Sequence, residues 1–252
     1  MKIIAVIPAR WHSTRFEGKV LADINGKPMV QHVWERVKRA RAIDEVIVAV
    51  DTEKVFKAVE KFGGKAVFTS QGHPSGTDRI SEIANSIDAD IFVNVQSDEP
   101  LVRPSMIDAL AQVYEREGDI KMATLIKRIH EKREISDPNV VKVVIDRRAF
   151  ALYFSRSPIP FIRDETPGED MSARYFKHIG LYSYTRDFLL TYANLSKSIL
   201  ENEEKLEQLR VLEHGYKIKT IETRYETAGV DTAEDLERVR NMLRREDIKN
   251  YE

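Results

Sequence analysis

The 252-residue chain sets 40 lysines and arginines against 41 aspartates and glutamates, a formal net charge of −1, with 42% hydrophobic residues. That balance excludes a general nucleic-acid-binding surface and makes any basic cluster a local site. The lack of cysteine excludes a disulfide framework, thiolate catalysis and a cysteine-based zinc site. The apolar run behind Met1 is too short for a signal peptide and no stretch is long enough to span a membrane, so a cytoplasmic protein without membrane insertion is expected.

The first element is Ile3 to Ile7, an apolar run that reads as a buried parallel strand. It opens into Pro8-Ala9-Arg10-Trp11-His12-Ser13-Thr14-Arg15-Phe16-Glu17-Gly18-Lys19, a loop with three cations. Arginine forks match phosphate oxygens, lysine adds a mobile point charge, and Ser13, Thr14 and Gly18 allow close backbone approach. The spacing is neither a Walker loop nor a dinucleotide-binding glycine motif, and the same residues also suit a solvated basic turn. Asn25-Gly26 signals a turn, and Val30, Val33, Trp34 and Val37 mark a helix. Val46 to Val50 reads as a strand, Asp51-Thr52 as a cap for a helix over about Glu53 to Phe62, and Lys65 to Thr69 as another strand. A helix through Ile80, Ile83, Ala84 and Ile87, a strand from Ile91 to Val95 and a helix from Ser105 to Glu117 follow. Such alternation predicts an α/β, three-layer α/β/α fold with a mostly parallel central sheet.

Beyond about residue 119 the rhythm changes. Met122 to Lys127, Val140 to Ile145, Phe150 to Phe154 and Ile179 to Tyr184 are strand-like, which predicts a β-rich second half within a single domain spanning 1–252. Arg163 to Ala173 reads as a polar surface loop, Lys217 to Thr223 as a strand, and Thr232-x-x-Asp235 as the start of a last helix.

Several residues carry candidate chemistry. Asp98-Glu99-Pro100 follows the Ile91–Val95 strand, at the carboxyl end where open parallel sheets bind ligands. A hard carboxylate beside phosphate-binding cations implies Mg²⁺, though an exposed acidic turn has the same sequence. Asp231 is a second acid, equally suited to capping the last helix. His73 to Arg79 leads into a helix and suits either a nucleobase edge or a cap. Arg156, at a strand end stiffened by Pro158 and Pro160, suits a bidentate carboxylate partner. Glu207 and Gln208 share a helical face that would otherwise be solvated.

Together these segments resemble the 3-deoxy-manno-octulosonate (Kdo) cytidylyltransferases, or CMP-Kdo synthetases, nearly end to end. The anchors are Ile7-Pro8-Ala9-Arg10-x-x-Ser13-Thr14-Arg15-x-x-Gly18-Lys19, Asn25-Gly26-Lys27-Pro28-Met29, Ser75-Gly76-Thr77-Asp78-Arg79, Asn94-Val95-Gln96-Ser97-Asp98-Glu99-Pro100, Tyr153-Phe154-Ser155-Arg156, His178-Ile179-Gly180, Glu207-Gln208-Leu209-Arg210 and Gly229-Val230-Asp231-Thr232. Ser97 stands where the family usually has glycine, and Phe16-Glu17 where it has Leu-Pro. The resemblance implies a Rossmann-like nucleotidyltransferase fold, with a nucleotide-binding half over about 1–118 and a sugar-binding and dimerisation half over about 119–230. It implies transfer of CMP from CTP to Kdo with release of pyrophosphate, Mg²⁺ as cofactor, a homodimer, and a place in lipopolysaccharide biosynthesis. By the same resemblance Arg10, Arg15, Lys19 and Asp98 are catalytic, and Asp98 and Asp231 hold the metal. The nucleotide falls to Ala9, Arg10, Ser13, Arg15, Lys19, Ser75, Gly76, Thr77 and Arg79, and the sugar to Gln96, Arg156, His178, Tyr182, Glu207 and Gln208. Rival readings are a cytidylyltransferase for another sugar acid, a glycosyltransferase and a non-catalytic nucleotide-binding protein.

Overall fold

The computed structural model describes residues 1–12, 16–73, 75–164 and 174–244. Strand β1 (Ile3–Ala9) is buried throughout and splits its side chains by the two-residue period of a strand. Ile3, Ala5 and Ile7 join one core, Ile4 and Val6 the other. After a short 3₁₀ turn (Lys19–Leu21), β2 (Asp23–Ile24) and β3 (Lys27–Pro28) form a small hairpin. Its Asn25-Gly26 corner has φ of 51° and 87°, the doubly left-handed corner that an Asn-Gly pair favours. Helix α1 (Met29–Val37), β4 (Glu45–Val50), α2 (Glu53–Lys61), β5 (Lys65–Phe68), α3 (Gly76–Ser86), β6 (Ile91–Asn94) and α4 (Pro104–Arg116) complete the alternating half. Val33, Val55 and Ile107 from α1, α2 and α4 pack on one face of β1, and Ile80 and Ile83 from α3 on the other. The expected three layers result.

The second half contains β7 (Met122–Arg128), α5 (Lys132–Ser136), β8 (Lys142–Ile145), β9 (Ala151–Ser155) and β10 (Phe176–Thr185). It continues through α6 (Arg186–Tyr192), α7 (Ile199–Glu204), α8 (Gln208–Glu213), β11 (Ile218–Glu222) and α9 (Ala233–Arg244). The main path of the sheet runs β11-β7-β10-β6-β1-β4-β5, with β8 paired to β10 and β9 to β8. The pairs β1–β4, β1–β6, β4–β5 and β11–β7 are parallel, whereas β10 is antiparallel to both β6 and β7. Strand β10 is therefore the seam that joins the halves into one sheet. Most of the predicted polar loop, residues 165–173, lies outside the described residues.

Helix starts follow their caps. Thr52 caps α2 through Val55 N, and Asp51, its expected partner in capping, turns elsewhere. Thr232 and Asp235 exchange reciprocal bonds at the start of α9, with Asp235 N donating to Thr232 Oγ1 and Thr232 N to Asp235 Oδ2, each at 3.1 Å. That leaves the Asp231 side chain available for other work.

Candidate active site

The carboxyl ends of β1 and β6 meet the N-terminus of α3. A Cβ placed on Gly76 would lie 3.5 Å from Pro8 Cγ and 3.9 Å from Gln96 Oε1, ordinary contact distances that show the three segments adjoin. Ala9 is buried at the end of β1 and Arg10 emerges exposed. Ser13 and Arg15 lie outside the described residues. The loop closes where Gly18 N donates to Trp11 O at 2.9 Å. Trp11 N in turn donates to Asp51 Oδ1 at 2.9 Å. Gly18 has φ +68°, and a Cβ there would meet the Trp11 ring at 2.6 Å.

Lys19 then reaches across the molecule. Its Nζ donates to Asp98 Oδ2 at 2.6 Å, Asp231 Oδ1 at 3.0 Å and the Val230 carbonyl at 3.1 Å. Burial pulls the ammonium's pKa down, but Asp98 and then Asp231 more than offset it, and the balance is a raised value. Val230 N donates to Asp98 O at 2.9 Å, which stitches the two acid-bearing segments together. Behind them Glu99 keeps Oε2 closed from solvent and without a partner. Burial, then the charge of Asp98, pushes its carboxyl up to about 8.

The fit of a divalent cation can be judged from the ion these residues already hold. Two carboxylates and a carbonyl present hard oxygens to one ammonium, the ligand type Mg²⁺ prefers. Among the described residues no group of three or more His, Cys, Asp or Glu is arranged to hold a metal. A pair of carboxylates suits Mg²⁺, which commonly completes its shell with substrate phosphates and water. Asp98 and Asp231 therefore fit the cation.

The polar wall of the neighbouring space is built on β10. His178 lies 5.4 Å ring to ring from Tyr182 and 5.1 Å from Phe154. The Thr124 hydroxyl donates to Leu181 O at 2.8 Å, in the stretch where β10 slips register against β7. With its proton so used, that hydroxyl accepts from His178 Nε2 at 2.9 Å, leaving Nδ1 as the ring's acceptor. Burial lowers His178 to about 3, so the imidazole is neutral. Glu207 ties the cap of α3 to Tyr192 on α6, whose ring lies 6.5 Å from that of Tyr184 on β10. Its Oε1 lies 3.1 Å from Ser75 Oγ, at the cap of α3, and accepts from Tyr192. Gln96 Nε2 donates to Asn94 Oδ1 at 3.3 Å. Gln208 is buried with Nε2 unpartnered.

Other predicted site residues do internal work. Thr77 is buried and bonded to Tyr184, and Arg79 is buried on Thr69, with Asp51 Oδ2 at 3.7 Å from its Nη2. Through Asp51 the arginine braces Trp11. Arg156 donates from Nε to Glu204 O at 2.7 Å and from Nη1 to Pro138 O at 2.8 Å, with Lys205 O at 3.5 Å from Nη2. These three bonds leave two guanidinium N–H groups uncommitted by them.

Several contributors escape the sequence reading. Asp51 looked like a cap, and Thr124 like one residue of an apolar strand. Lys142 is fully buried, with Nζ donating to Asp137 O at 2.8 Å and Val140 O at 2.6 Å. The available signal was a lysine inside an otherwise apolar strand. A separate groove of about 810 Å³ between α4 and β11 contains none of these residues.

A family model described as cytidylyltransferase matches residues 4–221. The 3-deoxy-manno-octulosonate cytidylyltransferase of Geotalea uraniireducens (strain Rf4) is 54% identical over 251 residues, covering 97% of this chain and 100% of that protein. The protein of the same name from Solibacter usitatus (strain Ellin6076) is 53% identical, covering 96% of this chain and 95% of its own. Among solved structures, a CMP:2-keto-3-deoxy-manno-octonic acid synthetase complexed with CTP superposes with a TM-score of 0.91 at 45% identity, over 98% of this chain and 100% of the other. The 4-diphosphocytidyl-2C-methyl-D-erythritol synthase of Anaerococcus prevotii DSM 20548, at 16% identity and TM-score 0.64 over 97% of this chain and 99% of its own, shares the fold alone. A family model matching residues 4–221 and relatives above 50% identity over nearly the whole chain show that the chain belongs to the 3-deoxy-manno-octulosonate cytidylyltransferases.

Proposed function

We propose that the protein transfers CMP from CTP to Kdo, giving CMP-Kdo and pyrophosphate, with Mg²⁺ as cofactor. The observation that carries this reading is the Asp98–Asp231 pair held on Lys19, with Glu207 tying Ser75 at the cap of α3 to Tyr192 on α6, beside Tyr184 of β10. The relatives' names and their full-length similarity give the substrates.

In the reaction the sugar's anomeric hydroxyl attacks the α-phosphorus of CTP. The bond to the pyrophosphate oxygen breaks and the hydroxyl proton is lost. Arg10, Arg15 and Lys19 bind the triphosphate and steady the charge that leaves with pyrophosphate. Ala9, Ser13, Ser75 and Gly76 offer close backbone approach, while Thr77 and Arg79 hold that backbone in place. Arg156 gives its two uncommitted N–H groups to the sugar's carboxylate. Gln96, His178, Tyr182, Glu207 and Gln208 receive its hydroxyls, the neutral His178 as an acceptor. Asp98 and Asp231 would hold Mg²⁺, which when bound neutralises phosphate charge. Aligning two anionic substrates in one site supplies much of the acceleration.

The protein works as a cytoplasmic homodimer supplying lipopolysaccharide biosynthesis. No helix among the described residues is long and apolar enough to cross a membrane. Leu152 on β9 and Phe161 beyond it are 62% and 88% exposed, which supports assigning dimerisation to the second half.

Pyrophosphate release with CTP, Mg²⁺ and Kdo, run beside no-sugar, no-metal and sialic-acid controls, tests the reading. Release that needs all three components supports it. Release with another acid moves the substrate, and no release from protein that still binds CTP defeats catalysis.

A further inference from the structure

The Lys19 ammonium stands where a divalent cation would need to be. It holds one oxygen of each carboxylate and the Val230 carbonyl, and its side chain is only 15% exposed. A Mg²⁺ bound to the same carboxylates would lie about 2.1 Å from their oxygens, too close to an ammonium sharing them. The two cations therefore compete for one place.

We propose that Lys19 is a resident counter-ion with two stations. In the nucleotide-free protein it neutralises Asp98 and Asp231; when the divalent cation enters, it swings onto the incoming polyphosphate. The inference rests on the reading of those two acids as the cation's ligands. The backbone need not move, because Leu21 N on Gly18 O and Ala22 N on Lys19 O, each at 2.9 Å, fix the turn while the four-carbon stem rotates. Without the lysine, the free protein would hold the Asp98 and Asp231 carboxylates beside Glu99 with no ammonium between them. With it, the naked ion binds weakly, and a polyphosphate that draws the ammonium away restores the ion's affinity. Linkage makes the effect reciprocal, so cation and nucleotide load together.

The test is a Mn²⁺ titration of nucleotide-free protein, followed by loss of the free-ion electron paramagnetic resonance signal. Lys19→Met should tighten Mn²⁺ binding by about tenfold or more, the scale of a lost charge-assisted bond. Adding Asp98→Asn to that variant should abolish the gain. Unchanged or weaker binding in a folded Lys19→Met protein, or a gain that survives Asp98→Asn, overturns the proposal. A second measurement uses the unaltered chain, should the variants fail to fold. Reductive methylation of Lys19, read by mass spectrometry, should run severalfold faster in excess Mg²⁺; equal rates overturn the proposal. Neither readout involves turnover, so loss of the proposed activity and loss of this mechanism are separately detectable.

Discussion

Burial, reinforced by the charge of Asp98, raises the Glu99 carboxyl to about 8, so the native chain keeps a proton that an unfolded one releases near 4.5. Between those values the folded state binds more protons, and stability must fall as pH rises through the window. Glu99→Gln should flatten that decline, most visibly as a higher Tm than the parent's at pH 8 in chelator; parallel pH profiles would remove Glu99 as the cause. Its neighbour Asp98 has a different task. Asp98→Asn should lower kcat by about a thousandfold, the scale of a lost electrostatic group in a preorganised site, with CD unchanged. Near-normal turnover would take Asp98 out of the metal site. At Arg156 the expectation is a KM effect. Arg156→Ala should raise the sugar's KM by about tenfold or more while CTP's stays put, as the loss of a charged hydrogen-bonded partner requires. Equal effects on both would leave Arg156 only its carbonyl contacts. These residue types were legible from sequence, but whether Asp231 capped a helix or faced Lys19 was not. Thr232 had to be seen taking the cap first.

Elements hold these side chains by means that periodicity only partly reveals. The strands β1, β4, β5 and β6 were readable as short runs bounded by turn residues, and Asn25-Gly26 gave away its turn but not the two-residue strands on either side of it. The register slip in β10 had one local sign, Gly180 between Ile179 and Tyr182, but its extent shows only in the cross-strand pairing. The short helices α7 and α8 depend on a tertiary ion pair. Arg210 donates to Glu201 at 2.7 Å from Nε and 2.5 Å from Nη2, both residues being buried. Arg210→Met strands the Glu201 carboxylate and should cost about 3–5 kcal/mol, measured by denaturant unfolding. A loss below about 1 kcal/mol would mean that solvent reaches the pair. Gly18 has a comparable role in the first loop. Its positive φ and the Trp11 ring leave no room for a side chain, so Gly18→Val should raise the KM for CTP more than that for the sugar.

Across the whole molecule, the two halves are one sheet because β10 pairs with β6 on one side and β7 on the other. The sequence predicted a β-rich second half, but no local pattern could tell that its longest strand would be inserted next to β6 of the alternating half. A second connection is ionic. Lys177 Nζ, adjoining His178 on β10, lies 2.6 Å from Glu134 and 2.9 Å from Glu226 in the segment leading to Asp231, and Lys127 also bonds Glu226. This joins β10 beside His178 to the segment that carries Asp231, outside the sheet itself.

The order in which the chain is made gives the Lys19–Asp98–Asp231 contact one more consequence. A ribosome produces the lysine first, Asp98 79 residues later and Asp231 212 residues after the lysine, so the three can meet only once Asp231 has been made. Whatever structure a shorter product reaches, it lacks the second carboxylate. A chain interrupted before Asp231 therefore leaves Lys19 with one carboxylate of the pair at most.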